Sequence, residues 1–203
     1  QPRWGYLNPD LFEVVQRDGG IADLAPHENV APGLVGSAVD YLTRYLTGSS
    51  ADDAFKIPSK GAANVGELLL FDDLICMVEG LDDDSVASAI QLAGFDAAYR
   101  VGFRAYKPVQ MIRPDLQTIE NVRTMVKRSC DVLREYGPKI LDGLTFEGGY
   151  TDIVSVGDGD FLTADTLWDF KVSKNTPTSR QTLQLLMYWR MGLHSAGEVS
   201  RYI

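Results

Sequence analysis

Tyr150–Tyr188, YTDIVSVGDGDFLTADTLWDFKVSKNTPTSRQTLQLLMY, is the stretch on which the fold turns. It is rich in β-formers up to Val172, is broken by Pro177, and takes a helical period over 178–194. Side chains alternate across a strand, so Asp169 and Lys171 share one face while Trp168, Phe170 and Val172 share the other. Gly157-Asp158-Gly159-Asp160 is turn chemistry. It predicts an antiparallel hairpin with Asp152 on the first run, beside Asp169 on the second. On the helix that follows, Gln181, Gln184 and Tyr188 stand at i, i+3 and i+7 and form a polar face. Leu183, Leu186 and Met187 are expected to pack on the other side.

Upstream of this window the texture is helical. Asn8-Pro9 predicts the cap of a short helix that ends at Gly19-Gly20. Residues 33–47 carry the stripe Leu34, Val35, Ala38, Val39, Leu42 and Leu46, with Gly48 as the stop. Residues 48–62 read as a polar connection. Asn64 and Glu67 resemble a capping box opening an apolar helix to Gly80. Asp82-Asp83-Asp84 opens another helix, expected to reach about Val101, because acidic groups favour the positive end of the helix dipole. A long helix over roughly 117–136 ends before Gly137-Pro138, and Arg201-Tyr202-Ile203 reads as the start of a further strand. The expected fold is α/β (α+β): one domain, 1–203, with a mixed central β-sheet flanked by helices. Residues 140–203 form its core, and 49–115 are a helical insertion in a helical N-terminal elaboration.

Two carboxylates and an ammonium in this order suit phosphodiester hydrolysis. A divalent ion offsets charge in the transition state and lowers the pKa of an attacking water. Mg²⁺ prefers hard oxygens in octahedral geometry, commonly one or two carboxylates with water and phosphate completing the shell. Asp152 and Asp169 supply carboxylates, the Phe170 carbonyl a third oxygen, and Lys171 an ammonium to steady the water or developing charge.

Gly149-Tyr150-Thr151-Asp152, then Asp169-Phe170-Lys171, then Gln184-Leu185-Leu186-Met187-Tyr188 resemble the RecB-like branch of the PD-(D/E)XK nuclease superfamily. The resemblance covers about a quarter of the chain. It implies a restriction-endonuclease-like core, Mg²⁺ or Mn²⁺ dependence and cleavage of DNA. It also implies that Asp152 and Asp169 are metal ligands, that Lys171 is catalytic, and that Gln184 and Tyr188 support the site or contact DNA. Relatives often carry Gly-x-x-x-His on an upstream helix; here Gly36-Ser37-Ala38-Val39-Asp40 has the spacing with Asp40 in place of histidine. Aspartate is itself a competent Mg²⁺ ligand. The cysteines that hold an iron–sulfur cluster in some relatives have no counterpart, so no cluster is expected.

The other motifs carry less. Asp158, Asp160 and Asp165 lack EF-hand spacing and read as turn residues. Glu147 reads as a solvated strand end. No Gly-x-Ser-x-Gly elbow or Walker lysine loop occurs, which argues against a serine hydrolase and ATP hydrolysis within the chain. Residues 99–113, YRVGFRAYKPVQMIR, interleave Arg100, Arg104, Lys107 and Arg113 with Tyr99, Phe103 and Tyr106. They can grip a phosphate backbone and stack on bases, or else tuck their aromatics into the core. Lys174 and Arg180 are further candidate phosphate contacts.

Composition bounds these readings. The chain carries 19 Lys and Arg against 28 Asp and Glu, a net charge of −9. The acid is concentrated in residues 1–97, with 5 basic and 16 acidic residues, whereas 98–203 holds 14 and 12. The acidic half suggests a protein partner, and the second half leaves room for DNA. No apolar run is long enough for a bilayer, so no membrane partner is expected, and a cytoplasmic setting fits. Cys76 and Cys130 read as buried free thiols. The alternative to a nuclease is an inactive protein of the same fold that binds nucleic acid or a protein.

Overall fold

The computed structural model describes residues 7–13, 24–172, 177–197 and 199–202. Among these the fold is mixed α/β, with eight α-helices and a three-stranded antiparallel sheet. The chain divides into two compact units: one is Ala22–Val132, the other the described residues of Gln1–Ile21 and Leu133–Ile203.

The first unit is helical. Helix α1 (Pro32–Leu46) opens with proline at its first turn and closes at Thr47, with Gly48 at φ 103. Of its predicted stripe Val35, Ala38, Val39 and Leu42 are buried, Leu34 is half-buried, and Leu46, in the last turn, is exposed. The 48–62 segment is not a connection. Ser50 accepts a hydrogen bond from the Asp53 amide and caps α2 (Ala51–Ala54), and α3 (Lys56–Val65) follows. Gly66, in the left-handed region at φ 74, ends α3. Glu67 therefore stands before α4 (Leu68–Cys76) without capping it, and its carboxylate accepts from the Tyr106 hydroxyl at 2.6 Å.

Asp82 caps α5 (Asp83–Ala93) by accepting from the Ser85 amide. This helix stops at Gly94 rather than running to Val101, and residue 94 has room only for glycine, since a Cβ there would stand 2.5 Å from Ile112 and 2.9 Å from Val109. The chain resumes as α6 (Asp96–Arg100), and α7 (Leu116–Tyr136) is the long helix the sequence predicts. The core of this unit packs Leu42, Phe55, Val86, Ile90, Phe95 and Val122, all essentially without solvent contact. Asp96 is buried among these helices: it accepts from Tyr41 Oη at 2.6 Å and Ser37 Oγ at 3.2 Å, while its Oδ1 has no partner. Burial outweighs these donors and holds its carboxyl above the usual range.

The second unit carries the sheet: β1 (Leu141–Thr145), β2 (Asp158–Leu162) and β3 (Leu167–Trp168), ordered β1-β2-β3. The sheet is antiparallel throughout its described strands, not mixed as expected. Gly157-Asp158-Gly159-Asp160 is not the turn either: Asp158–Leu162 is the central strand. Gly159 is needed there for packing, since a Cβ would stand 2.9 Å from Leu144 Cδ1 and 3.2 Å from Phe146 Cζ. The β2–β3 turn falls at Thr163–Thr166, where the Thr163 amide donates to the Thr166 carbonyl at 3.0 Å. Pro177 precedes a capping box in which Thr178 and Gln181 bond reciprocally and start α8 (Ser179–His194).

Leu144, Phe146, Leu162 and Met191 form the small core of this unit. At Asn8 the described chain makes only a 3₁₀ turn, Pro9–Leu11, and residues 14–20 lie outside the described residues. Val199–Arg201 is also a 3₁₀ turn where a strand was expected to begin, and Ile203 lies outside the described residues. Cys76 is exposed and Cys130 half-buried, so the expectation of two buried thiols fails.

Candidate active site

Asp169 and Lys171 follow β3 directly. Alternation sends both to one face, and Lys171 Nζ donates to Asp169 Oδ1 at 2.6 Å. The aspartate side chain is 8% exposed and the lysine 39%, so the ammonium reaches from solvent onto a largely buried carboxylate. Lys171 Nζ also lies 3.4 Å from the Phe170 carbonyl. Phe170 turns the other way and packs its ring on Phe161, centroids 4.8 Å apart.

The β2–β3 register pairs Phe161 with Trp168 and Leu162 with Leu167. Continued by one residue, it sets Asp160 opposite Asp169. Asp160 Oδ2 accepts from the Phe170 amide at 2.7 Å, taking the donor that the next rung of the ladder would use. Sequence reasoning spent Asp160 on a turn and missed it. Alternation sets Asp160 and Leu162 on one face of β2, and the register sets Asp169 and Lys171 on the same face across the hairpin.

Asp152 does not lie on a strand. Gly148-Gly149 ends the run after β1, and Thr151 builds a turn in which its Oγ1 accepts from the Ile153 and Val154 amides at 3.3 and 3.0 Å. Its own amide donates to the Val154 carbonyl at 2.9 Å. Asp152 is exposed on that turn, as are Thr151 and Ile153, and has no hydrogen bond or ion pair among the described residues. The excursion is closed by Tyr150, whose hydroxyl donates to the Gly157 carbonyl at 3.1 Å and accepts from the Phe146 amide at 3.2 Å.

On helix α8 the expected packing of Leu183 and Leu186 fails, while Met187 is half-buried. Leu183 and Leu186 are exposed, and Gln184 and Tyr188 are half-buried. Gln184 Nε2 donates to Tyr188 Oη at 2.7 Å, and the Tyr188 ring packs on Phe146 at 5.1 Å between centroids. Glycines make that approach possible: a Cβ at Gly157 would lie 3.2 Å from Tyr188, and one at Gly149 only 2.1 Å from the Met191 carbonyl oxygen.

The remaining candidates are placed as follows. Asp40, in the helical unit, is held by Arg44 of the same helix through two contacts of 2.9 Å. Arg100 is half-exposed and pairs with Asp96 at 3.7 Å. Arg104, Lys107, Arg113 and Arg180 are exposed, as is Glu147, and Lys174 lies outside the described residues.

Among the described residues no three His, Cys, Asp or Glu side chains gather as a metal-holding group. Mg²⁺ asks for less, since one or two carboxylates suffice when water and phosphate complete the shell. Asp169, with Asp160 in register and the Phe170 carbonyl beside Lys171, fits that smaller donor set. Compared with protein-family models, with curated proteins and with solved structures, the chain shows no match in any of the three.

Proposed function

We propose that the chain is a metal-dependent nuclease that hydrolyses DNA phosphodiester bonds, built on a restriction-endonuclease-like core. One observation carries this reading: a nearly buried carboxylate, Asp169, is met by the half-exposed ammonium of Lys171 at 2.6 Å beside the free end of a hairpin. The pair sets a hard oxygen donor and a positive charge side by side, the two groups that cation binding and phosphate stabilisation call for. The order Asp152, Asp169-Phe170-Lys171, Gln184 and Tyr188 adds the resemblance to RecB-like nucleases.

Bound Mg²⁺ or Mn²⁺ supplies charge neutralisation and a lowered pKa for water. Asp169 is the anchoring ligand. Asp152 supplies a second carboxylate by its place in the motif, and Asp160 by its place in the hairpin. Asp160 also fixes the Asp169–Phe170 peptide by accepting from the Phe170 amide. With a cation held by Asp169, the Lys171 ammonium would be available to the scissile phosphate, where positive charge lowers the barrier. Gln184 fixes the Tyr188 hydroxyl, which leaves that phenol oriented for a polar contact.

Plasmid and oligonucleotide cleavage in Mg²⁺ or Mn²⁺ tests the reading. Lys171→Ala and Asp169→Asn each lose roughly 10²–10⁴-fold in rate, the range for a positioned acid, base or charge-stabilising group. Between Asp152→Asn and Asp160→Asn, the latter keeping an acceptor for the Phe170 amide, the variant with the larger loss of Mn²⁺ affinity identifies the second ligand. Wild-type rates in Lys171→Ala and Asp169→Asn would remove the site.

The second reading is an inactive relative that binds nucleic acid or a protein. It draws support from the acidic N-terminal half, residues 1–97, with 16 acidic and 5 basic residues. Mn²⁺ titration separates the two, because an inactive scaffold binds the ion no better than its Asp169→Asn variant.

A further inference from the structure

Residues 99–113 hold four cations, Arg100, Arg104, Lys107 and Arg113, and no acid. The unit around them, Ala22–Val132, is acidic, with 16 Asp and Glu against 10 Lys and Arg. Such segregation within one fold points to an anionic ligand rather than to solubility, which scattered charge serves as well.

The segment is also divided by burial. Two residues peg it into the helical core. Tyr106 stacks on Phe95 at 5.7 Å with the rings 7° from parallel, and its hydroxyl donates to Glu67. Burial, then that carboxylate, push the phenol up to about 12. Val109 is fully buried, and Gln91 Nε2 ties down the Ile112 carbonyl at 3.0 Å. Between the pegs and α6 the chain turns at Gly102, φ 106, into the 3₁₀ turn Phe103–Ala105. That turn leaves the Phe103 ring 71% exposed. Arg104 and Lys107 flank it, exposed and without an ion pair among the described residues. Tyr99 is 42% exposed and carries Lys60 over its ring at 5.3 Å, which adds a fifth cation.

An exposed phenylalanine costs hydration free energy and gives the core nothing. Held on a pegged turn between unpaired cations, its flat face suits an unstacked base, with phosphates on either side for Arg104 and Lys107. A duplex keeps its bases stacked inside and has no use for the ring. We infer that the strip Tyr99–Arg113 docks single-stranded DNA, with one base stacked on Phe103 and the backbone held by Arg104 and Lys107. The choice of DNA as the polymer rests on the nuclease reading; the strand preference rests on the strip alone.

The test is equilibrium binding of a fluorescent oligothymidylate in EDTA, followed by anisotropy across a salt series, with a duplex and an oligouridylate of the same length as comparison arms. EDTA removes cleavage, so a failed nuclease assay leaves this measurement untouched. Wild-type protein binds the single DNA strand more tightly than either comparison. Phe103→Ala weakens that binding roughly tenfold and Phe103→Trp restores it, as loss and return of one stacked base requires. Arg104→Ala lowers the slope of log affinity against log salt by about 0.7, one phosphate's worth on a single strand. Both side chains are exposed, so circular dichroism and the thermal midpoint stay at wild-type values. Unchanged affinity in Phe103→Ala overturns the proposal. So does duplex binding as tight as single-strand binding, an oligouridylate preferred over the DNA strand, or no binding to any arm, the result expected if the strip meets a protein instead.

Discussion

The helical unit and the sheet unit divide their labour differently. In the first, Leu42, Phe55, Ile90 and Phe95 interlock from several helices, and the polar groups inside are few and hydrogen-bonded, Asp96 Oδ1 excepted. In the second, three short strands and one helix close over a handful of residues, and carboxylates and a lysine crowd the end of the hairpin. The helical unit has the thicker core, and the sheet unit sets its polar cluster beside a thin one. Low local stability is what functional regions tolerate, and small cores make room for groups that a dense one would reject.

The contrast breaks most visibly in the helical core. Phe95→Ala removes a ring that meets Phe71 at 6.5 Å and stacks on Tyr106, and should cost about 3–5 kcal/mol in urea unfolding followed by circular dichroism. A loss under 1 kcal/mol would mean that this core is looser than its burial indicates. In the sheet unit the counterpart is Gly149→Ala, whose Cβ meets the Met191 carbonyl at 2.1 Å. A cost of about 1–3 kcal/mol is expected, since a small core can shift to relieve part of the clash. Equal costs at the two positions would erase the distinction.

The smallest effect sharpens the comparison through pH. Burial raises the Asp96 carboxyl above its ordinary 3.8, so the fold favours its protonated form. Its contribution to stability is fully present below 3.8 and fades as pH rises through the elevated native value. Asp96→Asn keeps a neutral acceptor for Tyr41. It should flatten the dependence of the urea midpoint on pH above 3.8 and be no less stable than wild type at neutral pH. A slope identical to wild type would show that the carboxyl titrates normally.

Periodicity made α1, α7 and α8 legible, because each needs only its own stripe or cap. The pairing of Asp169 with Lys171 was legible for the same reason: alternation over three residues is local. Glycines misled wherever their purpose lay elsewhere in the chain. Gly159 reads as a turn residue until Phe146 is seen against it, and Gly94 reads as helix interior until Val109 and Ile112 arrive. Asp152 was assigned to a strand because Ile153 and Val154 look like one. The Thr151 hydroxyl, competing for their amides, decides otherwise. The polar face of α8 is legible in its period, but the exposure of Leu183 and Leu186 is not. Only the packing of Phe146 on Tyr188 makes Gln184 and Tyr188 the inward residues.

One phenol holds both ends of the excursion between Phe146 and Gly157, donating to one and accepting from the other. A single oxygen is thus the latch, and no second donor duplicates it at Gly157 among the described residues. Where the acid at the apex of that excursion sits is therefore governed by residue 150 as much as by residue 152. Evolution, or an engineer, could retune its reach by editing an aromatic ring and leaving every charge in place.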